Sequence, residues 1–346
     1  MAELFEVKDV DRAVYRETIS DFLPARIIDA HTHVWKDEHT HHDASAFARV
    51  VSWPSRVARD SPVEELIEGY RLLFPGKTVT PLMFSSIYEG DDMEAANAYV
   101  SECSAAHRFP ALIYAHPTWS AKTLEQGIRK GRFLGAKVYL NLAPAYIPQK
   151  EIRIFDFLPP HQLDVLHRNK WVAMLHIPRD GRLGDPVNLA QMLEIEKTWP
   201  GVRLIIAHLG RAYCDEDMGT SMETLKATRN MVFDFSANTN DHAFEAALRT
   251  FGPERCLFGS DMPITRMRMR RTCESGRYIN VVPRGLYGDV SADKNMREVD
   301  PPEADRLTFF MYEEILAIKR AVDRVGLGRR DVESFFYGNA KRFLGI

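Results

Sequence analysis

Cysteine is scarce in this chain: four in 346 residues, at positions 103, 214, 256 and 273, with no two closely spaced. That argues against a CxxC zinc pair and against the dense disulfide framework of a small secreted domain. Cys256 lies inside an apolar run and reads as a buried core thiol. No stretch of about eighteen apolar residues exists, so no membrane-spanning segment is expected. The start, Met1 to Glu6, is acidic and has no basic-then-apolar signal layout. An excess of one charge sign is missing too. Lys plus Arg number 45 against 48 Asp plus Glu, a formal charge of -3 with a pI near 6.5, which gives no global drive toward nucleic acid or an anionic membrane. Internal repeats, low-complexity tracts and a linker to a second domain are likewise absent. A cytoplasmic, reducing location is the expectation.

What the chain does have is a recurring design. Its hydrophobic content of 45% is ordinary for a protein with a large core. Ile27-Ile28-Asp29-Ala30-His31-Thr32-His33 is an apolar run ending in two histidines at i and i+2. On a strand those two side chains share a face, so their imidazoles converge. Strand-like runs follow at Val79–Phe84, Ala111–Ala115, Ala136–Leu140, Val172–Leu175, Val202–Ala207, Met231–Phe235 and Arg255–Gly259. Helical patterns lie between them, at 92–107, 120–131, 161–169, 187–198, 220–228 and 241–250, with Asp92, Ser120 and Asn240 or Asp241 as N-caps. Counting strand one, eight parallel units predict an α/β fold, a (β/α)8 TIM barrel, with an open doubly wound sheet as the alternative. The whole of 1–346 is expected as one domain. Residues 1–24 form a lead-in, and 262–304 form a long aperiodic insertion over the barrel mouth, followed by a helix from Pro302 or Glu303 to about Val325.

Barrel active sites stand at the carboxyl ends of the strands. His31 and His33 close strand one, His176 follows Val172–Leu175, His208 follows Leu204–Ala207, and Asp261 follows Cys256–Ser260. Imidazoles and a carboxylate converging there suit a divalent ion, Zn first, with Mn or Fe as alternatives. His39, His41 and His42, in the polar loop after strand one, read as solvated histidines near the mouth.

These motifs resemble the metal-dependent amidohydrolase superfamily, specifically its amidohydrolase-related branch. The resemblance rests on Asp29-Ala30-His31-Thr32-His33, Leu175-His176, Ala207-His208-Leu209-Gly210, Phe258-Gly259-Ser260-Asp261-Met262-Pro263 and Gly338-Asn339-Ala340-Lys341-Arg342-Phe343, and runs from about residue 26 to the end. It implies a distorted TIM barrel with one metal on His31, His33, His176 and Asp261, and His208 as acid/base or carbonyl-polarising group. In binuclear relatives a strand-four lysine, here Lys137, is carboxylated and bridges two metals. Tyr139-Leu140-Asn141 departs from that subgroup, so Lys137 is expected to contact a substrate anion instead, and a second metal is not expected.

Six arginines (266, 268, 270, 271, 277 and 284) against one acid, Glu274, occupy 262–284. Guanidinium groups at a barrel mouth match carboxylate or phosphate by paired hydrogen bonds. Arg266 and Arg268 are the candidates there, a charged loop or subunit interface being the other reading, with His116, Arg179 and Arg211 as further pocket candidates. The expected partner is a small anionic molecule, in a homo-oligomer of two or more chains. The expected reaction is hydrolysis of a lactone, ester or amide, with Asp261 as general base then acid. Non-oxidative decarboxylation or hydration of an aromatic or dienoic acid is the alternative, and a non-catalytic metal-binding barrel the third reading.

Overall fold

The computed structural model describes residues 4–42 and 56–346; residues 1–3 of the lead-in and 43–55 of the loop after strand one lie outside the described residues. Eight strands follow the expected order: β1 (Arg26–His33), β2 (Thr78–Phe84), β3 (Ile113–Tyr114), β4 (Gly135–Val138), β5 (Val172–Leu175), β6 (Arg203–Ile206), β7 (Val232–Asp234) and β8 (Cys256–Leu257). β1 and β2 pair in parallel, and β3 to β8 form a six-stranded parallel sheet in sequence order. Two seams join these pieces. Met83 bridges Ala111 across β2 and β3. Across β8 and β1, Ala30 N donates to Phe258 O and His33 N to Met262 O. The result is a closed (β/α)8 barrel, with β3 and β8 reduced to two residues each.

Side-chain alternation separates two cores. Ile28, Ala30, Val172, Met174 and Ile205 fill the barrel interior, while Ile27, Ala173, Leu175, Leu204 and Ile206 pack outward under the helices. That is the period of two required of a strand buried on both faces. The helices begin where the polar residues said they should. Asp92, Ser120 and Asn240 accept from the backbone N–H of Ala95, Thr123 and Ala243, satisfying donors the helix itself leaves open. The helix Asn339–Leu344 lies at the barrel floor, tied to β8 by Asn339 Nδ2 donating to Pro253 O and Cys256 O.

The insertion differs from expectation. It is a small sheet of β9 (Arg270–Glu274), β10 (Arg277–Pro283) and β11 (Met296–Val299), in the order β11-β10-β9. β9 and β10 form an antiparallel hairpin, and β11 runs parallel to β10. Its own small core of Met267, Met269, Val282, Val290 and Met296 packs on Ala237 and Phe310. The following helix starts at Phe310 rather than at 302 or 303, because residues up to Arg306 make only a short 3-10 turn. The cysteines hold a second surprise: Cys214 and Cys273 form a disulfide across the barrel and this hairpin, leaving Cys103 and Cys256 free and buried. Among the described residues no helix is long and apolar enough to cross a membrane.

Candidate metal centre

The site lies where β1, β5, β6, β7 and β8 end, and its backbone is bent there. His208, Leu209 and Arg211 after β6, Ala237 after β7 and Asp261 after β8 all have positive φ, as does Gly210. Non-glycine residues held in that region cost of the order of 1–3 kcal/mol each and concentrate where side chains must be aimed. A bulge between Asp29 and Thr32 does similar work in β1. Close packing fixes the opposite wall, since a Cβ on Gly259 would lie 2.8 Å from the Cβ of His31.

Three of the four imidazoles are oriented by an oxygen acceptor on Nδ1. His31 Nδ1 lies 3.0 Å from Asp234 Oδ2, His33 Nδ1 lies 3.1 Å from Ser85 O, and His208 Nδ1 lies 3.0 Å from Ser236 O. Those acceptors assign the ring proton to Nδ1 in all three. The Nε2 lone pairs are then left for the cavity. His31 Nε2 stands 3.5 Å and His33 Nε2 3.2 Å from Asp261 Oδ1. Ligating atoms of His31, His208 and Asp261 all fall within 4.8 Å of one another, and the His176 ring packs 5.2 Å from that of His208.

Two ring nitrogens in this cluster lack a partner among the described residues. His31 Nε2 and His176 Nδ1 are buried and make no hydrogen bond among the described residues. A buried acceptor left open is costly, and metal-bound histidines are held by an oxygen acceptor on the other ring nitrogen in this same way. The donor set therefore fits a divalent ion. Electrostatics agree. Burial, followed by the charge of Lys137, holds His31 well below its ordinary pKa, and burial with Arg211 does so for His176. Burial likewise lowers His208. All three stay neutral, as ligands must. Burial alone would raise Asp261, and the hydrogen bond with His33 opposes it and holds the carboxylate low.

Asp234 is the residue that sequence reasoning missed. It ends β7, fully buried, and accepts from His31 Nδ1, His208 N and Ser236 N. The signal was a carboxylate at the end of an apolar strand, the same rule that found the others. Asp29 lies deeper, accepting from His31 N, Ser260 N and Tyr70 Oη, and burial raises its pKa to about 7.

A cavity of about 720 Å³ opens over the cluster, lined by Lys137, Arg211 and Arg271 among aromatic residues that include Tyr88, Tyr139, Tyr213 and Tyr278. Lys137 is buried, with Nζ 4.9 Å from the Phe84 ring centre, and burial lowers its pKa to about 8. Lys137 and Arg211 therefore stand where the sequence placed them. Four other candidates do not. Arg179 pairs with Asp185, Arg266 with Glu65, and the buried Arg268 with Asp11. Their guanidinium groups join structural segments outside the cavity. His116 lies in a separate shallow depression, beside Thr118 and Glu89. His42, expected in solvent, instead packs against Tyr88, pairs with Asp91 and lines the cavity. His208, expected as acid/base, stands among the possible ligands.

The model of the Amidohydrolase family matches residues 28–280. Solved structures share the fold at low identity. An amidohydrolase from Burkholderia multivorans with bound zinc is 15% identical, with a TM-score of 0.56 over 93% of this chain and 100% of that one. A probable 2-pyrone-4,6-dicarboxylic acid hydrolase from Acinetobacter baumannii, with citric acid bound, is 15% identical, with a TM-score of 0.55 over 92% and 99%. The 5-carboxyvanillate decarboxylase of Sphingomonas paucimobilis is 12% identical, with a TM-score of 0.52 over 93% and 100%. No curated protein matches. With the family match spanning most of the barrel and the strand-end histidines and aspartate in place, the chain belongs to the amidohydrolase family.

Proposed function

We propose that this protein is a metal-dependent hydrolase of a small carboxylate-bearing ester, lactone or amide. The observation that carries the reading is the placement of Asp261: a carboxylate 14% exposed, facing the cavity with Oδ1 3.2 Å from His33 Nε2 and 3.5 Å from His31 Nε2. An ionised carboxylate is ready to accept a proton, as hydrolysis requires at its first step.

His31, His33, His176 and Asp261 would hold one divalent ion, with His208 at the same cluster. Such an ion supplies Lewis-acid polarisation and a more acidic bound water. The chain's own groups do the remaining work. Asp261 takes the proton of the attacking water as its oxygen bonds to the carbonyl carbon, then returns it to the departing oxygen or nitrogen as that bond breaks. The ammonium of Lys137 faces the oxyanion that develops between these steps. Arg211, with Nη1 anchored on Pro178 O at 3.2 Å, presents the rest of its fork to a substrate carboxylate. The Acinetobacter structure, with citric acid bound, supports a carboxylate ligand.

Isotopes decide the reaction type. Metal-loaded protein is incubated in H₂¹⁸O with carboxylate-bearing lactones, esters and amides, and in D₂O with aromatic carboxylic acids. One ¹⁸O in the newly formed carboxyl group is expected. Released CO₂ with carbon-bound deuterium would replace hydrolysis by decarboxylation.

A further inference from the structure

Arg271 and Arg268 are both buried arginines of the insertion, yet only one has a counter-charge. Arg268, 5% exposed, holds Asp11 through both terminal nitrogens, at 3.0 and 2.6 Å. Arg271, 8% exposed, has no carboxylate partner among the described residues. Its Nε donates to Asn280 Oδ1 at 2.9 Å and its Nη1 to Ala237 O at 2.6 Å, both neutral acceptors. Its Nη2 donates to nothing among the described residues, and the side chain borders the cavity. A buried cation without an anion is costly to a folded protein, and this one is kept in place by unusual means.

Three rings enclose it. The guanidinium carbon lies 4.7 Å from the ring centre of Tyr213, 4.6 Å from Tyr278 and 4.5 Å from Phe310. Cation–π contact of this kind partly replaces lost hydration while leaving an edge of the guanidinium free. The backbone holding the box is cross-linked. Arg271 and Cys273 are two apart on β9 and so share a face, and Cys273 is bonded to Cys214, the neighbour of Tyr213. Cys273 is also the register partner of Tyr278 on β10. One covalent bond thus joins all the segments that carry the arginine and its two tyrosines.

We propose that Arg271 is a specificity-determining residue, donating from the insertion to a second anionic group of the substrate bound in the same cavity as the metal centre. This rests on the carboxylate-binding reading above. The ligand class that follows is a flat or compact molecule with two separated anionic oxygen groups, one toward the metal centre and Arg211 and the other toward Arg271. The Cys214–Cys273 bond acts through Arg271 by fixing the hairpin.

The test is calorimetric titration of the metal-loaded protein with benzoate, isophthalate and terephthalate. The parent should bind the better of the two dicarboxylates roughly 10- to 100-fold more tightly than benzoate, the range for one charge-assisted contact. R271M should abolish that preference while leaving benzoate affinity within about twofold. R271K keeps the charge but not the fork, guards against a misfolded methionine variant, and should lose most of the preference at an unchanged melting temperature. Retained preference in either variant, or equal loss of all three ligands together with thermal stability, would overturn the assignment and leave Arg271 a structural residue. Parent protein that binds none of the three would instead overturn the carboxylate-binding reading, and this one with it.

Discussion

Asp234 Oδ2 lies 3.0 Å from His31 Nδ1, and both side chains are buried. One carboxylate at the end of β7 therefore fixes the tautomer of a ring on β1, directs the free His31 Nε2 into the cavity, and anchors the turn after β6 through His208 N. Asp234→Asn keeps the shape but removes the charge and presents only one acceptor oxygen. Metal affinity, measured by competition with a chromophoric chelator, should fall roughly 10- to 100-fold. An unchanged affinity would mean that His31 is oriented by packing alone.

Arg268 provides a contrasting case. It was a substrate-binding candidate by its place in the basic stretch, but its guanidinium holds Asp11, which also accepts from Thr308 Oγ1 at 2.6 Å. Arg268→Met leaves that carboxylate buried without its counter-charge. The expected cost is about 3–5 kcal/mol in urea unfolding, with the KM of the folded fraction unaltered. A raised KM without loss of stability would return Arg268 to the substrate.

Glu314 gives a pH prediction. It lies fully buried on the helix Phe310–Val325, accepting from Ala237 N at 2.7 Å through Oε2, with Oε1 unpartnered among the described residues. Burial, and then the charge of Asp29, holds its pKa well above the ordinary glutamate range. The folded state thus keeps a proton that the unfolded chain releases near pH 4.3. Between those values the folded state binds more protons, so stability falls as pH rises from about 4.3 toward the raised value. Glu314→Gln retains an acceptor for Ala237 and does not titrate. In urea titrations it should match the parent near pH 4.5 and exceed it at pH 8. Parallel pH profiles for the two proteins would show that Glu314 does not titrate on this scale.

The barrel was legible in the sequence because its signals are local. Apolar runs such as Leu204–Ala207 alternate with capped helices, and the ligand-type residues sit directly after those runs, so His31, His33, His176, His208 and Asp261 were all found at strand ends. Partnership was not legible, because it depends on residues far apart in the chain. Arg268 and Asp11 are 257 positions apart, Cys214 and Cys273 are 59 apart, and Asp234 meets His31 across 203. A count of arginines gives the charge of the insertion but not which guanidinium groups are already paired. Strand β9 is an edge of its small sheet, with Arg271 buried but Arg270, Cys273 and Glu274 exposed, so its hairpin left no periodic trace.

Metal content tests the central claim most directly. Elemental analysis of protein purified without chelator should find about one equivalent of a divalent ion per chain, falling to near zero in His31→Ala and in Asp261→Ala. Parent protein free of metal yet fully active would contradict the account.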